Sequence, residues 1–332
     1  MIPTQKTDRT ILLRSSRPSI RILAAINDLH AELSGNTEGE VAAYIPELAR
    51  VDPGTFAISV VTCEGEVFSV GDADTGFTLQ SIANPFMYGM ALDQLGRSAV
   101  ERAVGVEPTG NPYHAVVLER GTNRPMNPLV NAGAIAIAGL LPGHDPTDRL
   151  NRALEAIALH IGERPAIDMG VFISESSTAD RNRAIAYLMR NFGRLGGDLD
   201  ETLDLYFQMC SITVNTVQLA TMAATLANAG VNPRTSTRAI SPVSLRDVLT
   251  VMFTCGLYEQ SGRWAYRVGI PAKSGVSGGF MAVVPGRLGV AVYSPRLNTG
   301  GNSVRGIRVC EALSTQLGLH VFRNAEQRRT LE

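Results

Sequence analysis

Residues 55–72, TFAISVVTCEGEVFSVGD, carry alternating and β-branched side chains on both sides of a tight turn at Glu64 and Gly65. This is the pattern of a β-hairpin. A second pair of short β runs stands near the other end of the chain: FMAVVP at 280–285 and RLGVAVYSP at 287–295, around a turn at Pro285 and Gly286. A closing helix is expected over about 302–317. Between the two pairs, from about residue 96 to 228, helical patterns dominate: VNAGAIAIAGLL, DRLNRALEAIALHIG, TADRNRAIAYLMRNFG, DLDETLDLYFQMC and VNTVQLATMAATLANAG. Strands at both ends flanking a helical block imply an α+β protein. The terminal segments share one antiparallel sheet, and the helical block is a large insertion between them.

Outward from that frame, residues 19–33 form a helix whose Ile20, Leu23, Ile26, Leu29 and Leu33 recur at three- and four-residue steps and are expected to be buried. Residues 1–18 are polar and Arg-rich, a loosely held extension, and 323–332 form a tail. A single domain is expected over 19–322, with an α/β part at about 19–95 and 245–322 and a helical part at about 96–244.

At 332 residues the chain is long enough for a sizeable core. Its 45% hydrophobic content, 18% charge and net charge of −1 exclude a polybasic nucleic-acid binder and an acidic tail protein. No apolar run approaches the eighteen or so residues of a membrane span, and the first residues lack a secretory pattern, so a cytoplasmic location without a membrane partner is expected. The four cysteines, Cys63, Cys210, Cys255 and Cys310, are far apart and read as reduced core residues. Lysine is rare: Lys6 and Lys273 are the two in the chain.

Two positions carry the first chemical signal. Ser81 opens the apolar segment SIANPFMYGMALDQLG at 81–96, at a loop-to-helix junction where a hydroxyl is accessible and a backbone NH is available to an oxyanion. The same position also suits a helix N-cap. Lys273 lies in PAKSGVSGGF at 271–280, where Gly275, Gly278 and Gly279 let backbone approach a ligand closely. A Lys-Ser/Thr-Gly triplet facing a helix-borne serine is the arrangement of serine β-lactamases and penicillin-binding proteins.

With these two positions, an ordered series of landmarks resembles the serine-dependent glutaminases over about 22–319: YIPELARVDP, GDADTGFTLQSI, VGVEPTGNP, PMNPLVNAGAIA, Ser174-Glu175 followed by Arg181-Asn182, LANAGVNP, PAKSGVSGGF and SPRLNTGGNSVRG. The resemblance implies a serine β-lactamase/DD-peptidase-like fold and hydrolysis of glutamine or a related amide, without metal or organic cofactor. It implies that Ser81 is the nucleophile, and that the NH groups of Ser81 and Val276 form the oxyanion hole. Asn131, Glu175 and Asn182 would hold the substrate's α-amino and α-carboxylate groups. Tyr206 would carry a proton beside Ser81, Tyr258 would line the pocket, and the protein would be a homo-oligomer, dimer or tetramer.

One position departs from the pattern. The family's Ser-x-x-Lys pair reads Ser81-Ile82-Ala83-Asn84, so a neutral amide replaces the lysine one turn after the nucleophile. Asn84 has no useful basicity. Lys273 with Tyr206, as phenolate if the cation depresses its phenol, is one candidate substitute, and His114 is a weaker one because imidazole titrates near neutrality. Two other readings fit the same pocket: an amino-acid-binding protein without turnover, and acyl transfer to an amine.

Overall fold

The computed structural model describes residues 18–112 and 115–323. Its strands are β1 (Ala57–Thr62), β2 (Val67–Gly71), β3 (Phe77–Thr78), β4 (Ala166–Ile167), β5 (Ile212–Val214), β6 (Ala272–Ser274), β7 (Gly279–Val284) and β8 (Leu288–Tyr293). Five of them form an antiparallel sheet in the order β2-β1-β8-β7-β6. Both expected hairpins are present, and β1 pairs directly with β8, Ser59 opposite Ala291. Strands from the two ends therefore share one sheet, as the sequence implies.

Successive side chains leave a strand on opposite faces, and in β1, β7 and β8 both faces are buried, whereas edge strand β2 is partly exposed. Ile58, Val60, Phe280, Ala282, Val284, Leu288, Val290 and Val292 pack on one side with Ile26, Leu29, Val309 and Leu313 from helices Pro18–Leu33 and Val304–Leu317. Val61, Met281, Val283, Ala291 and Tyr293 pack on the other, against the helical block. There helix Thr216–Ala227 lies directly on the sheet, and Ser59 Oγ is 2.8 Å from Thr216 Oγ1. The approach requires Gly289: a Cβ there would stand 2.3 Å from Ala224 N and 2.6 Å from Ala220 O.

The two end helices are held by a buried arginine. Arg305 is 2% exposed and donates to the carbonyl oxygens of Ser34, Asn36 and Gly54, with its guanidinium over the Phe56 ring. Ser34 and Asn36 follow the C-terminus of the first helix, where outward carbonyls favour a cation.

The structure differs from the sequence reading in three places. Helix Pro18–Leu33 buries Ile22, Ala25, Ile26, Leu29 and Leu33, whereas Ile20 and Leu23 are 58% and 42% exposed. The spacing admitted two overlapping faces, and contact with the sheet and the closing helix selected one. A small second sheet, β3-β5-β4, was not anticipated, because its strands are two or three residues long. Cys63 is only partly buried, whereas Cys210, Cys255 and Cys310 are buried, and all four are free thiols. The expected extension, apart from Pro18, and the expected tail, apart from Arg323, lie outside the described residues, as does His114. No described helix is long and apolar enough to cross a membrane.

Because the atoms crowding Gly289 are helix backbone, no rotamer change relieves them. Gly289→Ala is expected to lower unfolding stability by about 1–3 kcal/mol, seen as a lower urea midpoint at unchanged slope. Gly262→Ala, at a helical position with open space around it, is expected to be neutral or slightly stabilising.

Candidate active site

Ser81 occupies the middle of a 3₁₀ turn, Gln80–Ile82, that runs straight into helix Ala83–Leu95. Its side chain makes no cap bond to that helix, so the N-cap role open to it in the sequence is not the one it takes. Gln80, just before it, has φ +50°, a left-handed conformation that non-glycine residues adopt only when their surroundings enforce it. The second sheet supplies that enforcement: β3 leads into the turn, and Leu79 N donates to Ile212 O at 2.8 Å. Ser81 is 9% exposed.

The glycine-rich segment after β6 closes over this turn. A Cβ on Gly275 would stand 2.6 Å from Leu79 O, 3.3 Å from Gln80 Cβ and 3.4 Å from Ile82 Cγ1, so glycine is required for the approach. Ser277 Oγ donates to Thr78 O at 2.7 Å, tying the next residues to β3. Val276, between these two contacts, packs beside Ile45, Leu48 and Val171.

Lys273 is fully buried on β6, with Nζ donating to Tyr258 Oη at 2.8 Å and to Ser274 O at 2.7 Å. The ammonium also lies over the Tyr258 ring, 4.3 Å from its centroid. Burial pushes the amine down to about 7, with the nearby Cys210 opposing the shift. Tyr258 itself has φ +56°. Its 3₁₀ turn, Tyr258–Gln260, is anchored by Gln260, whose Oε1 accepts from Asn298 Nδ2 and Asn302 Nδ2, each at 3.2 Å. Asn302 Oδ1 in turn accepts from Ser274 Oγ.

Tyr206 lies buried on helix Leu199–Cys210 one turn before Cys210, with which it shares a side-chain hydrogen bond. Burial, reinforced by Cys210, Tyr258 and Glu175, pushes its phenol well above its ordinary value. Tyr206 is therefore held as a neutral phenol, and the tyrosine paired with Lys273 is Tyr258.

Glu175, on helix Met169–Ser177, is 8% exposed and accepts from Tyr44 Oη at 2.6 Å. Burial raises its carboxyl, while hydrogen bonds from Tyr44 and Gln80 partly offset that rise. Asn131 opens helix Asn131–Leu140, and Asn182 sits in the first turn of helix Asp180–Asn191. Asn131 Nδ2 donates to Asn182 Oδ1 at 3.0 Å. Asn84 Nδ2 donates to Leu129 O at 3.2 Å, which links the first turn after Ser81 to the segment preceding Asn131.

The predicted residues thus fall into linked groups. Gly275, which precedes Val276, abuts the residues on either side of Ser81, Glu175 is hydrogen-bonded to Gln80 beside Ser81, Lys273 pairs with Tyr258, and Asn131 pairs with Asn182. Two participants escaped the sequence reading: Tyr44, within YIPELARVDP, and Gln80, adjacent to the nucleophile. Both lay inside quoted landmarks, but nothing in a single sequence says that their polar ends turn toward Glu175. Among the described residues no group of three or more His, Cys, Asp or Glu is arranged to hold a metal ion.

The arrangement has close relatives. The family profile described as Glutaminase matches residues 39–322. A glutaminase of Trichormus variabilis is 55% identical over 306 residues, covering 92% of this chain and 91% of the relative. A solved structure of the probable glutaminase ybaS superposes with a TM-score of 0.90 at 41% identity, covering 93% of this chain and 100% of that one. The structure of Mglu in its glutamate form superposes with a TM-score of 0.87 at 40% identity, covering 93% and 71% of the two chains. The β-lactamase-like, mixed α/β architecture with its antiparallel sheet is the one these structures share, and the chain belongs to the glutaminase family.

Proposed function

We propose that this chain hydrolyses L-glutamine to L-glutamate and ammonia through an acyl-enzyme on Ser81. The observation that carries the reading is the Gly275 contact, which sets a strained serine turn beneath a backbone segment bearing the Val276 NH, next to a buried carboxylate. In the reaction Ser81 Oγ attacks the side-chain amide carbon, and the NH groups of Ser81 and Val276 stabilise the oxyanion. The C–N bond then breaks, ammonia leaves, and water hydrolyses the resulting ester to glutamate.

Glu175 suits the substrate's α-ammonium, since a buried carboxylate gains most from an opposite charge. Asn131 and Asn182 suit the α-carboxylate: each can donate from its amide, and each lies in the first turn of a helix, where the dipole favours an anion. The glutamate form of the Mglu structure supports a pocket of this kind in the family. In this reading the buried phenol of Tyr206, hydrogen-bonded to Cys210, forms a polar wall of the pocket. Assembly as a homo-oligomer belongs to the same reading. Exposed apolar side chains on the helices carrying Glu175 and Asn182, Ile173 at 60% and Tyr187 at 58%, support it.

Ammonia release from L-glutamine is expected from the unaltered chain and not from Ser81→Ala. Glutamate binding without Ser81-dependent release would favour an amino-acid-binding protein instead. Tyr44→Phe removes a hydrogen bond to the Glu175 carboxylate, an interaction of about 1.5–3 kcal/mol for a charged partner, so KM is expected to rise roughly ten- to hundredfold with a smaller change in kcat. The bond also favours the anion. Its loss raises the Glu175 pKa further, so the KM defect is expected to deepen as pH falls, which a series of KM measurements against pH would record.

A further inference from the structure

Attack by Ser81 requires a base, and the group one turn along the same helical face cannot be it. Asn84 is 1% exposed, its Nδ2 donates to Leu129 O, and its Oδ1 is buried with no hydrogen-bond partner among the described residues. An amide oxygen in that position accepts hydrogen bonds but takes no proton.

The geometry around β6 supplies another candidate. Gly275 follows β6 and continues its pairing with β7, its NH donating to Gly279 O at 2.9 Å, so the alternation of the strand carries on to it and Lys273 leaves the chain on the side toward which a side chain at Gly275 would point. On that side Gly275 abuts Leu79, Gln80 and Ile82, the turn that carries Ser81. The register agrees: Lys273 stands opposite Met281, which faces the helical block. The amine ends on the Tyr258 hydroxyl, 2.8 Å away. Among the described residues Lys273 is the single lysine.

Resting on the Ser81 reading above, we propose that Lys273 is the base of the acylation step and that the Tyr258 hydroxyl carries the proton to it. The Ser81 O–H bond breaks as the Oγ–carbon bond forms. The serine proton passes to the Tyr258 oxygen while the Tyr258 proton passes to the lone pair of neutral Nζ, leaving an ammonium. When the tetrahedral adduct collapses, the proton returns by the same path to the departing nitrogen, which leaves as ammonia. Gln260 is a positioning residue in this scheme, because its side-chain oxygen gathers Asn298 and Asn302 and so joins the Tyr258 turn to Ser274 beside the lysine.

The groups around the amine are compatible with a neutral lysine. Burial holds Lys273 down to about 7. Tyr258 meets it directly and Cys210, on helix Leu199–Cys210, lies near enough to interact with its charge, while Tyr206 is bonded to Cys210 and Glu175 lies farther along the cluster. Tyr206 and Cys210 are both pushed upward by burial and stay uncharged near neutrality. Glu175 is also raised, and its charge belongs to substrate binding rather than to the proton path.

The test is kcat for ammonia release at saturating L-glutamine across about two pH units on each side of neutrality. The full chain is compared with Lys273→Met, Tyr258→Phe, Gln260→Ala, Ser81→Ala and the double variant Lys273→Met/Asn84→Lys. Below its pKa the amine is an ammonium without a lone pair, so kcat of the unaltered chain is expected to rise through an acid limb near 7 and then level. Lys273→Met is expected to lower kcat by about 10²–10⁴-fold and abolish the limb, while glutamate still raises the melting temperature. Gln260→Ala is expected to lower kcat with KM nearly unchanged, and Asn84→Lys to restore part of the rate in the Lys273→Met background.

Unchanged kcat in Lys273→Met, with Ser81→Ala inactive, would overturn the assignment and leave the glutaminase reading standing. Absence of Ser81-dependent ammonia release from the unaltered chain would overturn both. Should Lys273→Met fail to bind glutamate, the kcat profile of the unaltered chain decides: a limb near 7 that persists in Glu175→Gln supports the proposal, and a flat profile overturns it.

Discussion

The approach of Gly275 to the turn at residues 79–82 is the constraint on which the site depends. A single methyl at residue 275 would overlap the Leu79 carbonyl at 2.6 Å, so the serine turn and the end of β6 can close only over a bare backbone. Other features follow from that closure. The Ser277 hydroxyl reaches Thr78, and Lys273 stands opposite Met281, on the face of β6 toward the helical block. The left-handed Gln80 is then affordable locally because β3, β5 and Gly275 fix it from two sides.

Burial of charge gives the site its second character. Lys273 and Glu175 are both removed from water, and each moves toward its neutral form. They are also treated differently. Glu175 keeps two hydrogen bonds that favour its anion, so a cationic ligand finds a carboxylate ready to pair. Lys273 meets a phenol oxygen, a ring face and a backbone carbonyl. These are neutral partners, which stabilise an ammonium less than a carboxylate would and so leave the free amine accessible.

Much of this was legible in the sequence, and the limits have physical causes. The hairpins at 55–72 and 280–295 were readable because buried strands with tight turns leave a local signature, and their joining in one sheet follows from packing economy alone. Ser81, Lys273, Asn131, Glu175 and Asn182 all stand inside ordered motifs of the sequence. Partner choice was not legible. Lys273 could have met Tyr206 or Tyr258, and only the placement of the 258–260 turn beside β6 selects between them. The face of the first helix was ambiguous for the same reason, because Ile20 and Leu23 fit the period as well as Ile22 and Ala25 do. The strands of the small sheet are shorter than any period that sequence alone can resolve.

The pairing of β1 with β8 also bears on how the protein is made. During synthesis the first hairpin leaves the ribosome long before its neighbour in the sheet exists. Until β8 arrives, β1 has one open edge and two apolar faces, Ile58 and Val60 on one side and Val61 on the other. Helix Thr216–Ala227 can cover one of those faces earlier, but helix Val304–Leu317 and the Arg305 clamp come last. Such distant pairing makes for slow maturation and prolonged exposure of an unpaired strand. The chain therefore carries an unpaired edge on β1 until residues 288–293 have been made.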